Sequence, residues 1–178
     1  MKVDEQGWFS GVQRIASPNF DARPAHTRIT LLVIHSISLP PNEFGGSAIR
    51  QLFTNTLDCT SHPYYQRLVG VKVSSHFLVR RDGRIIQFVA CRQRAWHAGV
   101  SEWQGRTRCN DFSLGIELEG CDDLPFDAPQ YDALARLTRY LRRRFSIADI
   151  VGHSDIAPGR KTDPGPCFEW ARYLGRIE

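Results

Sequence analysis

Two stretches of the chain are apolar on both sides of an extended backbone, and this pattern predicts strands inside a sheet. The first, residues 29–37, is rich in β-branched side chains and ends in an irregular polar loop at residues 38–46. The second, residues 112–118, carries a glutamate among its apolar side chains. Short apolar runs of this kind are typical of strands that are covered on both faces.

Alternation of apolar and polar positions predicts a β-hairpin over residues 74–89. Phe77 and Val79 share one face of its first strand, and Gly83 supplies the positive φ that a tight turn needs. A further short strand is expected at residues 147–151, in front of a Pro- and Gly-rich loop.

Helical spacing predicts one long helix and two short ones. Asp127 and Gln130 resemble a capping box, and the apolar positions that follow recur every three or four residues. These positions are Tyr131, Leu134, Leu137 and Leu141. The long helix is therefore expected over residues 128–144, and shorter helices are expected around residues 49–53 and 168–174.

The order of these elements predicts the fold class. Strands and helices are interspersed, which favours an α/β (mixed α+β) fold in which a central mixed β-sheet is flanked by helices. Residues 29–178 are expected to form this single domain. Residues 1–28 are rich in turn formers and are expected to be an N-terminal arm packed on the domain.

Composition and charge exclude several classes of protein. The chain has 178 residues, 42% of them hydrophobic and 24% charged, as in a globular domain rather than a disordered or fibrous one. The net charge of +4 is small, and the arginines at 142–144 are explained by the end of a helix. Because basic and aromatic residues do not alternate along one face, we expect no nucleic-acid partner. A monomer is the default expectation.

Cysteine usage and the absence of long apolar runs predict the cellular compartment. The five cysteines form an odd set without a C-x-x-C pair, which favours reduced thiols over a disulfide framework. The first residues lack the apolar core of a signal peptide, and no stretch approaches the ~18–20 apolar residues that span a bilayer. We therefore expect a cytoplasmic protein without a membrane partner.

Two histidines lie where open α/β sheets place ligand sites, directly after an apolar strand. These are His35 and His153, and each taken alone could equally be a histidine satisfied by one backbone hydrogen bond. Asp163 follows His153 across a loop long enough to bring both side chains to one point. Two imidazoles and one carboxylate would hold a catalytic zinc ion and leave its fourth position open.

Glu117 and Glu119 alternate with apolar residues, so both point to one face of the predicted strand. A carboxylate next to such a metal centre could be a general base. The pattern leaves open which of the two acts, or whether both are surface glutamates on an edge strand. Lys161 could place an ammonium beside a developing oxyanion, or could be an ordinary solvated loop lysine. His97 could line a pocket together with Trp96.

Four longer strings carry a family resemblance. They are LLVIHSISLPP at residues 31–41, RAWHAGVS at 94–101, CNDFSLGIELEG at 109–120 and GHSDIAPGRKTDPG at 152–165. These strings resemble those of the cytosolic anhydro-N-acetylmuramyl-L-alanine amidases, the AmpD type, within the wider amidase and peptidoglycan-recognition superfamily. The resemblance covers nearly the whole chain.

The resemblance implies one Zn²⁺ per chain, held by His35, His153 and Asp163. It also implies that Glu117 rather than Glu119 is the proton acceptor and that Lys161 stabilises the transition state. The implied reaction is hydrolysis of the amide between the lactyl group of an anhydro-N-acetylmuramyl peptide and its L-alanine, in peptidoglycan recycling.

Five further residues are implied as contacts of this small muropeptide substrate: Arg108, Tyr64, Trp96, Ala157 and Ser36. Ser36 departs from the family, which commonly has asparagine after the first ligand histidine; serine keeps a donor and an acceptor but has a shorter reach. The alternative function is a non-catalytic module that binds peptidoglycan fragments. Such modules typically lack a metal ligand, whereas here all three are present.

Overall fold

The computed structural model describes residues 2–178 as one central sheet with helices on both faces. The strands are β1 (Gln13–Arg14), β2 (Phe20–Ala22), β3 (Leu31–Ile37), β4 (Phe77–Val79), β5 (Ile85–Gln87), β6 (Gln93–Ala95), β7 (Glu102–Trp103), β8 (Arg106–Thr107), β9 (Ser113–Glu119) and β10 (Asp149–Gly152). The helices are α1 (Ala48–Phe53), α2 (Ala128–Arg144), α3 (His153–Ile156) and α4 (Trp170–Leu174), with 3₁₀ turns at Pro63–Leu68 and Cys109–Asp111. None of the helices within residues 2–178 is long and apolar enough to cross a membrane.

The central sheet has six strands in the order β1-β5-β4-β9-β3-β10. Strands β4, β9, β3 and β10 run parallel to one another, β5 is antiparallel to β4, and β1 is parallel to β5. The prediction of a mixed sheet flanked by helices is therefore confirmed. Strand β9 lies between β3 and β4, so the alternative that Glu117 and Glu119 lie on an edge strand is wrong.

One face of the sheet is closed by apolar packing. Alternate side chains of β3, β9 and β4, such as Ile34, Ile116 and Phe77, form a core with the apolar stripe of α2. The helix spans the predicted residues, and Gln130 Oε1 accepts a hydrogen bond from the backbone N–H of Asp127 at 3.0 Å, as the predicted capping box requires. The opposite face carries two smaller apolar clusters as well as buried polar groups.

Most predicted elements are present with small shifts of their ends. The hairpin forms between β4 and β5 with Gly83 at φ +80, and the short helix and the final helix both exist. Two strands fall within the predicted arm of residues 1–28: β1 extends the central sheet beside β5, and β2 pairs with β6. The division into an arm and a domain stays a prediction.

Candidate metal centre and catalytic cleft

Strand register brings the polar side chains of three adjacent strands into one row. His35 of β3 is paired with Glu117 of β9, and Ile34 is paired with Gly152, the last residue of β10. His153 comes next after Gly152 and begins α3. Because parallel strands in register present equivalent positions to the same face, His35, Glu117 and His153 meet on the face opposite α2.

The three predicted metal ligands converge on one point. Nδ1 of His35 lies 2.9 Å from Nδ1 of His153, and Oδ2 of Asp163 lies 3.0 Å from each of these nitrogens. Both histidines are buried, and Asp163 is half-buried. The three residues form a group that could hold a metal ion.

A folded-back loop delivers Asp163 to this point. The backbone carbonyl of Asp163 accepts a hydrogen bond from the N–H of Ser154 at 3.0 Å, which ties the end of the loop to its beginning. Gly152 makes this possible, since a Cβ there would lie 2.8 Å from Cδ of Pro164. Nine residues lie between His153 and Asp163 in the chain, but this hydrogen bond brings the two ends of the loop together.

Burial and mutual hydrogen bonds shift the pKa values of His35 and Asp163. Burial lowers the pKa of His35 to about 4, although its hydrogen bond to Asp163 acts in the opposite direction. Burial would raise the pKa of Asp163, but its hydrogen bonds to His153 and His35 outweigh this and hold the pKa below its usual value. The favoured state is therefore an ionised Asp163 carboxylate beside a neutral His35 imidazole, which suits a pair of metal ligands.

Glu117 is buried without a partner for one of its oxygens, Oε2. Burial raises the pKa of Glu117 well above its usual value, the negative charge of Asp163 raises it further, and the positive charge of Lys161 partly offsets both. A buried carboxylate without a full set of hydrogen bonds is expensive to keep, and such groups are concentrated at functional sites.

Glu119 lies two residues after Glu117 on the same face of β9, and both of its carboxylate oxygens have structural partners. Its Oε2 lies 2.9 Å from Nε of Arg80 in a buried ion pair, and its Oε1 accepts a hydrogen bond from the N–H of Gly45 at 2.7 Å. The structure thereby separates two glutamates that strand periodicity left equivalent.

A cleft of about 320 Å³ lies over the row. The metal-ligand group, Glu117 and Lys161 all line it, and so do three of the five predicted substrate contacts, namely Ser36, Tyr64 and Trp96. Arg108 and Ala157 do not line the cleft; Arg108 is exposed with Nε 3.4 Å from Asp111, and Ala157 is buried at the end of α3. His97 lines the cleft together with Trp96, as predicted.

Several contacts around the centre were not predicted from the sequence. The outer nitrogen of His35, Nε2, lies 2.9 Å from Nδ1 of His97, and Nε2 of His153 lies 3.1 Å from the carbonyl of Ala98. Asn110 and Arg160 bind the backbone of the segment that carries these acceptors. The string RAWHAGVS contains His97 and Ala98, but a contact made by a backbone carbonyl cannot be recognised from a sequence.

Comparison with known proteins places these residues in a family. The family model described as N-acetylmuramoyl-L-alanine amidase matches residues 25–166. The chain is 56% identical over 171 residues to the 1,6-anhydro-N-acetylmuramyl-L-alanine amidase AmpD of Escherichia coli (strain K12), covering 95% of this chain and 93% of that protein.

Solved structures give the same result. The fold matches a crystal structure of a selenomethionine derivative of AmpD with a TM-score of 0.97, at 52% identity and complete coverage of both chains. It also matches AmiD from E. coli in complex with the substrate anhydro-N-acetylmuramic acid-L-Ala-D-γ-Glu-L-Lys, with a TM-score of 0.62, 34% identity, and coverage of 98% of this chain and 65% of that one.

The resemblance drawn from the sequence strings and the prediction of an amidase are therefore confirmed. The family model spans most of the chain and includes His35, Glu117, His153 and Asp163. The chain belongs to the N-acetylmuramoyl-L-alanine amidase family.

Proposed function

We propose that the protein is a zinc-dependent amidase that hydrolyses the lactyl–L-alanine amide of anhydro-N-acetylmuramyl peptides in peptidoglycan recycling. The observation that carries the proposal is the convergence of two imidazole nitrogens and one carboxylate oxygen beside a buried, incompletely hydrogen-bonded glutamate. Each chain is proposed to bind one Zn²⁺ and to act as a monomer.

The donor set of His35, His153 and Asp163 fits zinc. Ligand atoms about 2.0–2.2 Å from a tetrahedral zinc ion lie roughly 3.3 Å from one another. The separations of 2.9–3.0 Å in the ligand group need only a small expansion to reach that spacing. Three protein ligands leave the fourth position open, as catalytic zinc sites do and structural sites do not.

The reaction requires attack of water on the amide carbonyl, loss of the C–N bond and protonation of the departing amine. When bound, the ion supplies Lewis-acid activation of the carbonyl and of the attacking water. Glu117 accepts a proton from the water and returns one to the amine nitrogen of alanine. Its raised pKa suits this role, because a carboxylate of low pKa is too weak a base to take the proton from water.

Lys161 and the cleft walls complete the site. Lys161 lines the cleft, and its ammonium is proposed to stabilise the negative charge that develops on the carbonyl oxygen. Tyr64 and Trp96 offer partly buried aromatic surface to the sugar or the peptide, and Ser36 offers a short hydroxyl. Arg108 and Ala157 do not line the cleft, so they would have to contact the substrate from outside it. The exposed guanidinium of Arg108 could do so by binding an anionic group of the peptide.

The substrate is proposed from the relatives. AmpD of E. coli is named for the 1,6-anhydro-N-acetylmuramyl-L-alanine amide, and AmiD is described in complex with an anhydromuramyl tripeptide. A cytoplasmic site of action is proposed because all five cysteines are free thiols, which is typical of reducing compartments.

The test is cleavage of matched muropeptides by the zinc-loaded protein, followed by chromatography of the products. We expect release of the stem peptide from the anhydro form, and faster turnover of that form than of the reducing form. Equal cleavage of both would overturn the narrow recycling role. Binding of the muropeptide without any released peptide would instead support the non-catalytic alternative.

Metal analysis makes the test independent of turnover. Asp163→Ala is expected to lose bound zinc, whereas Glu117→Gln is expected to keep one ion per chain and lose activity. Full zinc occupancy in Asp163→Ala would contradict the proposed ligand set.

A further inference from the structure

We propose that residues 97–98, here called the backing segment, are the positioning element of the metal centre. In this view the segment holds both imidazole ligands with their Nδ1 lone pairs directed at the ion, and Asn110 holds the segment in place. The inference rests on the proposed zinc site, but it concerns residues that are not themselves ligands.

The first contact fixes His35. If Nδ1 of His35 faces the ion, its proton must lie on Nε2, and Nε2 then needs an acceptor. Nδ1 of His97 lies 2.9 Å from Nε2 of His35, and both rings are buried. No water can replace this acceptor without entering the core, so His97 determines which nitrogen of His35 is available to a metal.

The His97 ring is itself held in the orientation that this role requires. Since Nδ1 of His97 accepts, its proton lies on Nε2, which is 3.2 Å from the hydroxyl oxygen of Ser113. The ring packs on β9 at Gly115, where a Cβ would lie 2.6–2.8 Å from three ring atoms. Gly115 has no positive φ that would require glycine, so the missing side chain serves to make room for His97.

The second contact fixes His153 in the same way. Nε2 of His153 lies 3.1 Å from the carbonyl oxygen of Ala98, which accepts its proton and leaves Nδ1 free. Arg160 donates to the same carbonyl at 2.9 Å and so occupies its other lone pair. Two adjacent residues therefore support both imidazole ligands, one through a side chain and one through its backbone.

Asn110 binds the backing segment from behind. Its Oδ1 accepts hydrogen bonds from the backbone N–H groups of both His97 and Ala98, at 3.1 Å and 2.8 Å. One amide oxygen thus fixes the N–H groups of the two consecutive residues that supply the acceptors for the two ligand rings. Loss of Asn110 would loosen both supports at once without removing either acceptor.

The expected effect is on the affinity for the metal. Partners that orient ligating imidazoles typically change metal affinity by about 10–100-fold when they are removed. His97→Leu should therefore raise the zinc dissociation constant by about 10–100-fold. His97→Asn should recover part of this loss, because its Oδ1 can take the place of the Nδ1 acceptor.

The experiment measures zinc affinity by competition with a chelator and records the visible absorption of Co²⁺ placed in the site. Asn110→Ala tests the same element at a position that is only half-buried, so its folding should be less affected than that of His97→Leu. Both variants are expected to weaken zinc binding and to change the Co²⁺ spectrum, which a change in global stability alone would not do.

His76→Leu is the matched control. His76 is as deeply buried as His97, but its Nδ1 accepts from the N–H of Gly115 and it makes no hydrogen bond to either ligand histidine. We expect this variant to be less stable but to bind zinc normally. Equal loss of zinc affinity in His76→Leu and His97→Leu, or unchanged affinity and spectrum in His97→Leu and Asn110→Ala, would overturn the inference.

Failure of the proposed function would be seen differently. If Asp163→Ala also bound zinc with unchanged affinity, the ligand set itself would be wrong. If Asp163→Ala lost zinc while the backing-segment variants kept it, only the positioning role would be refuted.

Discussion

The surroundings of Glu117 and Glu119 differ although both carboxylates are buried on the same face of β9. Glu119 lies in a closed region, where Arg80 and the N–H of Gly45 satisfy its oxygens. Glu117 lies in an open region beside the three candidate metal ligands, where its Oε2 has no hydrogen-bond partner and the positive charge of Lys161 partly compensates its own negative charge.

The difference teaches how one strand supports two uses of the same residue type. A buried carboxylate with an ion pair and backbone donors holds the elements around it together. Glu119 does so by joining the loop that contains Gly45 to the hairpin that contains Arg80. A buried carboxylate without them keeps a raised pKa and a free oxygen, at a cost in stability. Partners, rather than burial or orientation, separate the structural glutamate from the one proposed to be catalytic.

The largest expected effect is on turnover at Glu117. Glu117→Gln keeps the shape of the side chain but cannot accept the proton of water, and general acid–base catalysis is worth about 10²–10⁴-fold. We expect kcat for muropeptide cleavage to fall by about that factor while zinc content stays near one per chain. Glu119→Gln is the control and should keep kcat within a few-fold of the parent value. A similar fall of kcat in both variants would contradict the assignment of the general base to Glu117 alone.

The next effect is on stability at Glu119. Glu119→Gln breaks a buried ion pair from one side, which typically destabilises a protein by about 3–5 kcal/mol. Thermal unfolding should show a lower Tm, by about 2–4 °C for each kcal/mol in a chain of this size. Asp82→Asn, which breaks the exposed pair with Arg84, should change the free energy of unfolding by less than about 1 kcal/mol. Equal effects would mean that burial of the pair is unimportant.

Lys161 sharpens the picture of the open region. Lys161→Ala removes the positive charge proposed to face the oxyanion, and loss of one such group typically lowers kcat by about 10²–10³-fold. The chromatographic assay should show this loss without a change in zinc content. Lys72→Ala is the control; it lies outside the cleft and should leave kcat unchanged. Full activity in Lys161→Ala would mean that Lys161 is an ordinary solvated loop lysine.

The smallest expected effect is the pH dependence of stability. The unfolded chain releases the Glu117 proton near its ordinary pKa, whereas the folded protein holds it to higher pH. The unfolding free energy should therefore fall as pH rises between these two values, and the penalty is complete above the folded pKa. In chelator-treated protein, Glu117→Gln should gain Tm relative to the parent as pH rises from about 4.5 toward neutral. A constant difference across this range would contradict the raised pKa.

The secondary structure was largely predictable because local patterns determine it. The apolar stripe and the capping pair gave α2 its observed bounds, and Gly83 placed the hairpin turn. The start of β3 shifted by two residues, from 29 to 31, since hydrogen bonding to β9 and β10 rather than the apolar run determines where pairing begins.

The sequence by itself determined the donor types, the order of strands and loops that carry them, and the family. His35 after one apolar strand and His153 after another were sufficient to suggest a metal centre, and the longer strings added Glu117 and Lys161. Only the tertiary structure decided which glutamate is free, that three ligand atoms lie about 3 Å apart, and that His97 and Ala98 support both rings. These properties depend on register between strands distant in sequence and on backbone acceptors, and neither is encoded by any local pattern of side chains.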